Sequence, residues 1–272
     1  MAPLSSQIQH PAQFDIARHY DVMEELDRDV HDDRALADAE VDTVLRLIGR
    51  VPRSVFLPCF GTGRHIASLL NRGVRRIVGV DLSPKCVDKA RRAHCDDPRV
   101  ELHVGDLATW KSDERLGAGI LLGNSFGDIV DPELLARVTY GMVRPVSHTG
   151  VFVMDYIGEG YLDRCRTRSP MRWEAELNGR PVFDDRAPRF DEHSGIMSID
   201  VRVTDRSTSE LAWEGTYQKA ILNRGQVQEH FRRAGIFMES QGLATEVNPY
   251  YEGHTGELGM IARSTWWVGR HV

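Results

Sequence analysis

Three residues and two acids in this sequence are spaced to hold a nucleoside. Gly61-Thr62-Gly63 follows directly on an apolar run, and Asp81 closes a second run twenty residues past Gly61. Glycines in such a turn let a ligand approach the backbone where a side chain would block it. A helix starting just after the turn offers its free N–H groups. An acid at the end of the second strand is the usual grip on two ribose hydroxyls. A further acid, Asp106, follows Gly105 at the end of a third run. Together these residues point to a nucleoside-containing cofactor. A dinucleotide site wants a small residue at the sixth position of the glycine motif, where helix packs on strand, and Ile66 is too large for that.

The elements that must carry these residues alternate. A helical stripe over 14–23 and a stronger one over 33–48, with Leu36, Val41, Val44, Leu45 and Ile48 on its apolar side, precede the first strand at 54–59. The periodicity then predicts a helix over 65–71, a strand over 76–80 and a helix opened by Ser83-Pro84. Strands at 99–104 and 119–123, a helix opened by Asp131-Pro132 and a strand at 150–157 complete the alternation. Strand and helix in turn, joined by short connections, imply a parallel sheet covered on both faces.

After residue 157 the pattern changes. Asn178-Gly179 between two alternating segments reads as a type I′ hairpin. The segments 196–204 and 211–221 alternate apolar and polar residues, as half-buried strands do. Asn223 caps a returning helix, and 236–243 and 260–268 read as a last strand pair. The fold class expected is α/β, with a Rossmann-like seven-stranded, mostly parallel sheet, helices on both faces and an inserted small antiparallel β unit. Its expected divisions are N-terminal helices and cofactor core over 1–157, a substrate-side insertion over 158–222, and a return to the core over 223–272.

Composition bounds the function. With 41% hydrophobic and 27% charged residues over 272 positions the chain reads as an ordinary globular protein. A net charge of −6 argues against a general nucleic-acid binder. Cys59, Cys86, Cys95 and Cys165 include no CxxC pair, so neither a zinc knot nor a disulfide framework is expected. The start of the chain lacks the pattern of a signal peptide, and no apolar run reaches membrane-spanning length. A cytoplasmic protein with no nucleic-acid or membrane partner and no metal is the expectation, with a homodimer as an assembly open to it.

Over residues 14–268 the sequence resembles the class I S-adenosylmethionine (SAM)-dependent methyltransferases. LPCFGTGRH is similar to the family's first motif, Val80-Asp81-Leu82-Ser83 to the second and Gly105-Asp106 to the third. The hairpin-rich insertion, and Leu122-Gly123-Asn124-Ser125-Phe126, resemble small-molecule N-methyltransferases of the glycine and amino-sugar type. The resemblance implies SAM as cofactor, S-adenosylhomocysteine as product and a small-molecule acceptor in natural-product biosynthesis. It implies cofactor contacts at Tyr20, Gly61, Thr62, Gly63, His65, Asp81, Leu82, Asp106, Leu107 and Asn124, with Asp81 on the ribose, Asp106 on the adenine amino group and Tyr20 covering the ligand.

One feature departs from the family. Relatives carry an acid two to four residues before the glycine turn, where it helps hold the methionine amino end. Here Phe56, Leu57, Pro58, Cys59 and Phe60 stand in that stretch, and Phe60 reads as an extra residue. Another group must compensate, or the site binds more weakly.

Methyl transfer from a sulfonium needs alignment and exclusion of water more than acid–base catalysis, and a neutral amine reacts without an obligatory base. Candidate catalytic residues lie at the carboxyl ends of strands: Asn124 after the fourth, Asp155 and Tyr156 at the end of the fifth. Of the aromatics Tyr161, Trp173, Trp213, Tyr217, Phe231, Tyr250 and Tyr251, most are expected in core and one or two against the acceptor. The basic run Arg164, Arg166, Arg168 and Arg172 is expected to be a solvated face. An amine nitrogen is the leading acceptor. The alternatives are a carbon or oxygen on an indole or phenol, and a SAM-binding protein without transferase activity.

Overall fold

The computed structural model describes residues 33–157, 171–252 and 263–272, together with Leu26, Leu162 and Cys165. The helix expected over 14–23 and Tyr20 lie outside them.

Helix α1 (Arg34–Ile48) begins where the Asp33 carboxylate accepts the Leu36 N–H at 2.9 Å, and ends at left-handed Gly49. Strand β1 (Ser54–Pro58) leads through the glycine turn into α2 (Ile66–Asn71). Then follow β2 (Arg76–Asp81), α3 (Pro84–His94), β3 (Val100–Val104), β4 (Leu116–Leu121), α4 (Pro132–Val143) and β5 (Val146–Ile157). Ser83 and Asp131 cap α3 and α4, each with proline in the first turn. The second half contains β6 (Met171–Leu177), β7 (Arg180–Asp191), β8 (Ile196–Asp205), β9 (Leu211–Ala220), α5 (Arg224–Arg233), β10 (Ile236–Leu243), the short α6 (Ala244–Val247) and β11 (Ser264–His271). Asn223 and Gln226 form a reciprocal capping box on α5.

Several boundaries shift for local reasons. β4 starts earlier than its apolar run suggested and stops at Leu121, because Gly123 (φ 91°) and Asn124 (φ 60°) turn into the left-handed region. α2 starts at Ile66, with His65 just before it making no side-chain cap. β5 begins at Val146, and the 116–118 stretch of β4 shifts register to accommodate it.

The main sheet has seven strands in the order β10-β11-β5-β4-β1-β2-β3. β1 pairs in parallel with β2 and β4, and β11 runs antiparallel between β5 and β10. From β1 the chain steps outward to β2 and β3, then returns to β4 on the other side. The crevice beyond the carboxyl ends of β1 and β4 is therefore the place for a ligand. The inserted strands form a separate antiparallel sheet, β6-β7-β8-β9, whose first hairpin turns at Asn178 (φ 53°) and Gly179 (φ 76°).

Each face of the main sheet buries its own apolar cluster. On one face Val55 and Leu57 of β1 pack with Leu36, Val41, Val44 and Ile48 of α1, Leu69 of α2 and Trp266 of β11. On the other, Phe56 packs with Phe126, Phe152, Tyr156, Phe231 and the alternating Met197, Ile199, Val201 and Val203 of β8. The antiparallel sheet thus shares a core with the main sheet. Burial of each such side chain contributes about 1.5–3 kcal/mol.

Candidate active site at the glycine turn

Cys59 extends the ladder one residue past β1, its N–H donating to Val80 O at 2.8 Å, and then takes a φ of 50° to start the turn. Phe60 is accommodated because its ring fills the space over Gly79; a Cβ there would stand 2.7 Å from a Phe60 ring carbon. The two glycines of the turn do different work. A Cβ at Gly63 would meet the Ile66 side chain at 2.8 Å, whereas Gly61 faces open space. Gly63 lets the helix pack, and Gly61 leaves the backbone accessible.

Asp81 closes the turn from β2. One carboxylate oxygen accepts the Gly61 N–H at 2.8 Å and the other accepts the Ser83 N–H at 2.9 Å. Burial pushes this carboxyl above its ordinary range, and the backbone donors of Ser83, Gly61 and Leu82 oppose the rise. Thr62 is half-buried in the turn and Leu82 is exposed beside the acid. Asp106, at the end of the neighbouring β3, accepts the Ala108 N–H at 2.8 Å from an exposed position. Leu107 turns inward: its side chain is buried in the core and its carbonyl crowds Gly141 of α4.

At the end of β4, Asn124 is buried. Its N–H donates to an Asp155 carboxylate oxygen at 3.0 Å and its own Oδ1 accepts from the Ser264 hydroxyl at 2.8 Å. Burial pushes the Asp155 carboxyl up to about 7; the Asn124 N–H opposes this, Glu40 adds to it, and Arg64 and the Gly123 N–H oppose it further. Tyr156 points to the other face. Its hydroxyl donates to Ala220 O at 2.6 Å and accepts the Leu222 N–H at 2.7 Å, fastening β5 to the segment that leaves β9. Burial pushes its phenol well above the ordinary value.

His65 turns away from the turn's open side, toward Glu40, with Nε2 2.6 Å from a Glu40 oxygen. Glu40 is fully buried on α1, and it also pairs with Arg64 at 2.9 Å and accepts the Tyr251 hydroxyl at 2.6 Å. Burial pushes this carboxyl up, but Arg64, His65 and Tyr251 outweigh it and hold it at about 2. Burial and Arg64 lower the His65 imidazole below its ordinary range, and its bond to Glu40 opposes the fall. Glu40 and Ser264 were not among the sequence candidates, and Tyr251 was named only among the aromatics expected in core or against the acceptor. The signal for Glu40 was its place: it stands four residues from Leu36 and from Val44, a charge in the apolar stripe of α1.

The structure therefore gathers Gly61, Asp81, Asn124 and Asp155 at the carboxyl ends of β1, β2, β4 and β5, with Asp106 one strand further out. Among the aromatics, Phe231, Tyr217 and Tyr251 are core, while Trp173 lies under the Arg186 guanidinium. Arg172 is exposed and paired with Asp185 at 2.5 Å. Tyr161, Arg164, Arg166 and Arg168 lie outside the described residues. Among the described residues no group of three or more His, Cys, Asp or Glu is arranged to hold a metal ion, and no helix is long and apolar enough to cross a membrane.

Residues 58–146 match the family described as "methyltransferase domain". No curated protein matches the sequence. Among solved structures, the sugar N-methyltransferase KedS8 from Streptoalloteichus is similar over 100% of this chain and 99% of its own, at 22% identity and a TM-score of 0.68. SAM-bound CalS10, an amino pentose methyltransferase from Micromonospora echinaspora, is 16% identical over 97% of this chain and 100% of its own (TM-score 0.67). DesVI of Streptomyces venezuelae is 17% identical over 96% and 100% (TM-score 0.67). Residues 58–146 thus match a methyltransferase domain, and the chain has the fold of these methyltransferases.

Proposed function

We propose that this chain transfers the methyl group of SAM to an amine nitrogen of a small-molecule acceptor in natural-product metabolism. The observation that carries the reading is the closure of Asp81 on Gly61: a carboxylate from β2 spans a glycine turn whose ligand side is open, at the point where the strand order reverses. The turn's open backbone and the carboxylate beside it fit a ribose and its adenine, with Asp106 on the adenine side. SAM supplies a methyl already activated on sulfur. The protein's part is to align the acceptor with it and to exclude water. We assign Asn124 to the reaction centre because it stands at the carboxyl end of β4, with its N–H on Asp155 and its Oδ1 on Ser264. Tyr156 is committed to Ala220 and Leu222, which suits a strap better than a base. The choice of nitrogen is supported by likeness to the sugar N-methyltransferase and the amino pentose methyltransferase.

The test is calorimetric titration with SAM, followed by turnover on a panel of amino sugars, other amines, phenols and indoles, with the methylated atom located by NMR. N-methylation supports the reading and C- or O-methylation replaces it. Binding without turnover makes the chain a SAM-binding protein, and absence of binding ends the proposal.

A further inference from the structure

The strand register sets a line of residues along the rim of the crevice. Pro58 lies opposite Val80, Asp81 opposite Val104 and Phe56 opposite Gly119. Continued by count, the register brings Gly61 level with Asn124, with Asp106 on the same level and Asp81 just below it. Neighbouring strands stand about 4.8 Å apart, so Asp106, Asp81, Gly61 and Asn124 follow one line across β3, β2, β1 and β4. A ligand with its adenine at Asp106 and its ribose at Asp81 carries whatever extends beyond the ribose past Gly61 to Asn124.

The Asn124 side chain is oriented by a neighbour. The hydroxyl of Ser264, fully buried at the start of β11, donates to its Oδ1 at 2.8 Å. The carboxamide oxygen is therefore taken, and Nδ2 is turned away from Ser264. Among the described residues Nδ2 has no hydrogen-bond partner, and it is not one of the polar atoms sealed from solvent. An amide NH2 donates and does not accept. Of the two charged groups at the end of a methionine chain, a carboxylate takes such donors, whereas an ammonium is itself only a donor.

We infer that the Asn124 side-chain NH2 binds the carboxylate of the cofactor's methionine end, and that Ser264 is the positioning residue that fixes the carboxamide for it. This rests on the SAM reading above. It gives the methionine end a holder outside β1, which bears no acid.

The test uses the full chain and two ligands that differ only in that carboxylate. They are S-adenosylhomocysteine and its decarboxylated analogue, 5′-(3-aminopropylthio)-5′-deoxyadenosine, each titrated by calorimetry. Asn124→Gly removes the carboxamide and keeps a residue suited to the left-handed φ of 60°. It should weaken S-adenosylhomocysteine binding roughly tenfold and leave the analogue within about twofold. Ser264→Ala should show the same selectivity at roughly fivefold. In the double variant the Ser264 effect should vanish, because its route to the ligand is gone. Equal losses for both ligands, no loss for either, or a Ser264 effect that persists without the carboxamide overturns the inference and leaves the SAM reading standing. Failure of the unaltered chain to bind either ligand overturns both. Should Asn124→Gly not fold, Ser264→Ala with the two ligands decides alone.

Discussion

Two carboxylates grip the same glycine turn from opposite sides, and they are built differently. Asp81 comes from the adjacent strand and takes backbone N–H groups. Glu40 comes from the first described helix and takes side chains, Arg64, His65 and Tyr251. Burial raises the Asp81 carboxyl and its donors only partly offset the rise, whereas the partners of Glu40 reverse the effect and hold it at about 2. On the proposed reading Asp81 meets a ligand, and its two backbone donors leave it acceptor capacity in reserve. An acid meant to hold a wall is saturated by its own protein. Both are near a glycine, but Glu40 is fully buried and Asp81 half-buried, and their donors differ in kind.

Substitutions sharpen that contrast. The largest effect is expected at Asp81: Asp81→Ala should weaken SAM binding by about 4 kcal/mol, roughly a thousandfold, if two hydroxyls are held by the carboxylate. Unchanged affinity in calorimetry would break the comparison at its functional side. Glu40 should show in acid stability instead. Its folded carboxyl at about 2 lies below the 4.5 of an unfolded chain, so its contribution is complete above pH 4.5 and is lost as pH falls toward 2. That contribution is about 3 kcal/mol, and urea titrations of Glu40→Gln between pH 2 and 6 should lack the corresponding slope.

Asp155 has the opposite sign. Its carboxyl at about 7 lies above the 3.8 of the unfolded chain, so stability is highest below pH 3.8 through this group and declines as pH rises through 7. Asp155→Asn should flatten that decline, a difference of about 2 kcal/mol at pH 8 after allowance for coupling to Glu40 and Arg64. The smallest effect is expected at Tyr156→Phe, which leaves Ala220 O and the Leu222 N–H without the hydroxyl. About 1 kcal/mol of stability should go, with SAM affinity unchanged; a large fall in turnover at equal affinity would restore Tyr156 as a catalytic group.

The cofactor side of the fold was legible because it is local. Residues 55–106 contain strand, turn, helix, strand and acid in register, and the Gly61–Asp81 bond joins two segments whose order and spacing declare it. The Asn178-Gly179 hairpin was legible for the same reason, since a positive φ at two successive positions leaves few residue choices. The supporting side was not legible. Glu40 meets Tyr251 across 211 positions and Asn124 meets Ser264 across 140, and no periodicity reports such pairs. Tyr156 looked chemical by its place at a strand end; alternation along β5 put it on the opposite face from Asp155, which only the packing could reveal. Glu40 left one trace, a charge inside an apolar helical stripe, and a buried ionisable residue of that kind marks a partner yet to be found.

The position of β11 has a consequence for synthesis. It emerges from the ribosome after every other described strand, yet it is an interior strand, and β10 joins the sheet only through it. Until residues 264–271 are free, the nascent chain holds β10 without a partner and exposes the edge of β5, a surface prone to pairing with another chain. The other strands of the candidate site precede this step, but Ser264, which bonds Asn124, comes with it. Loss of this last strand would therefore remove two strands rather than one and release Asn124 as well.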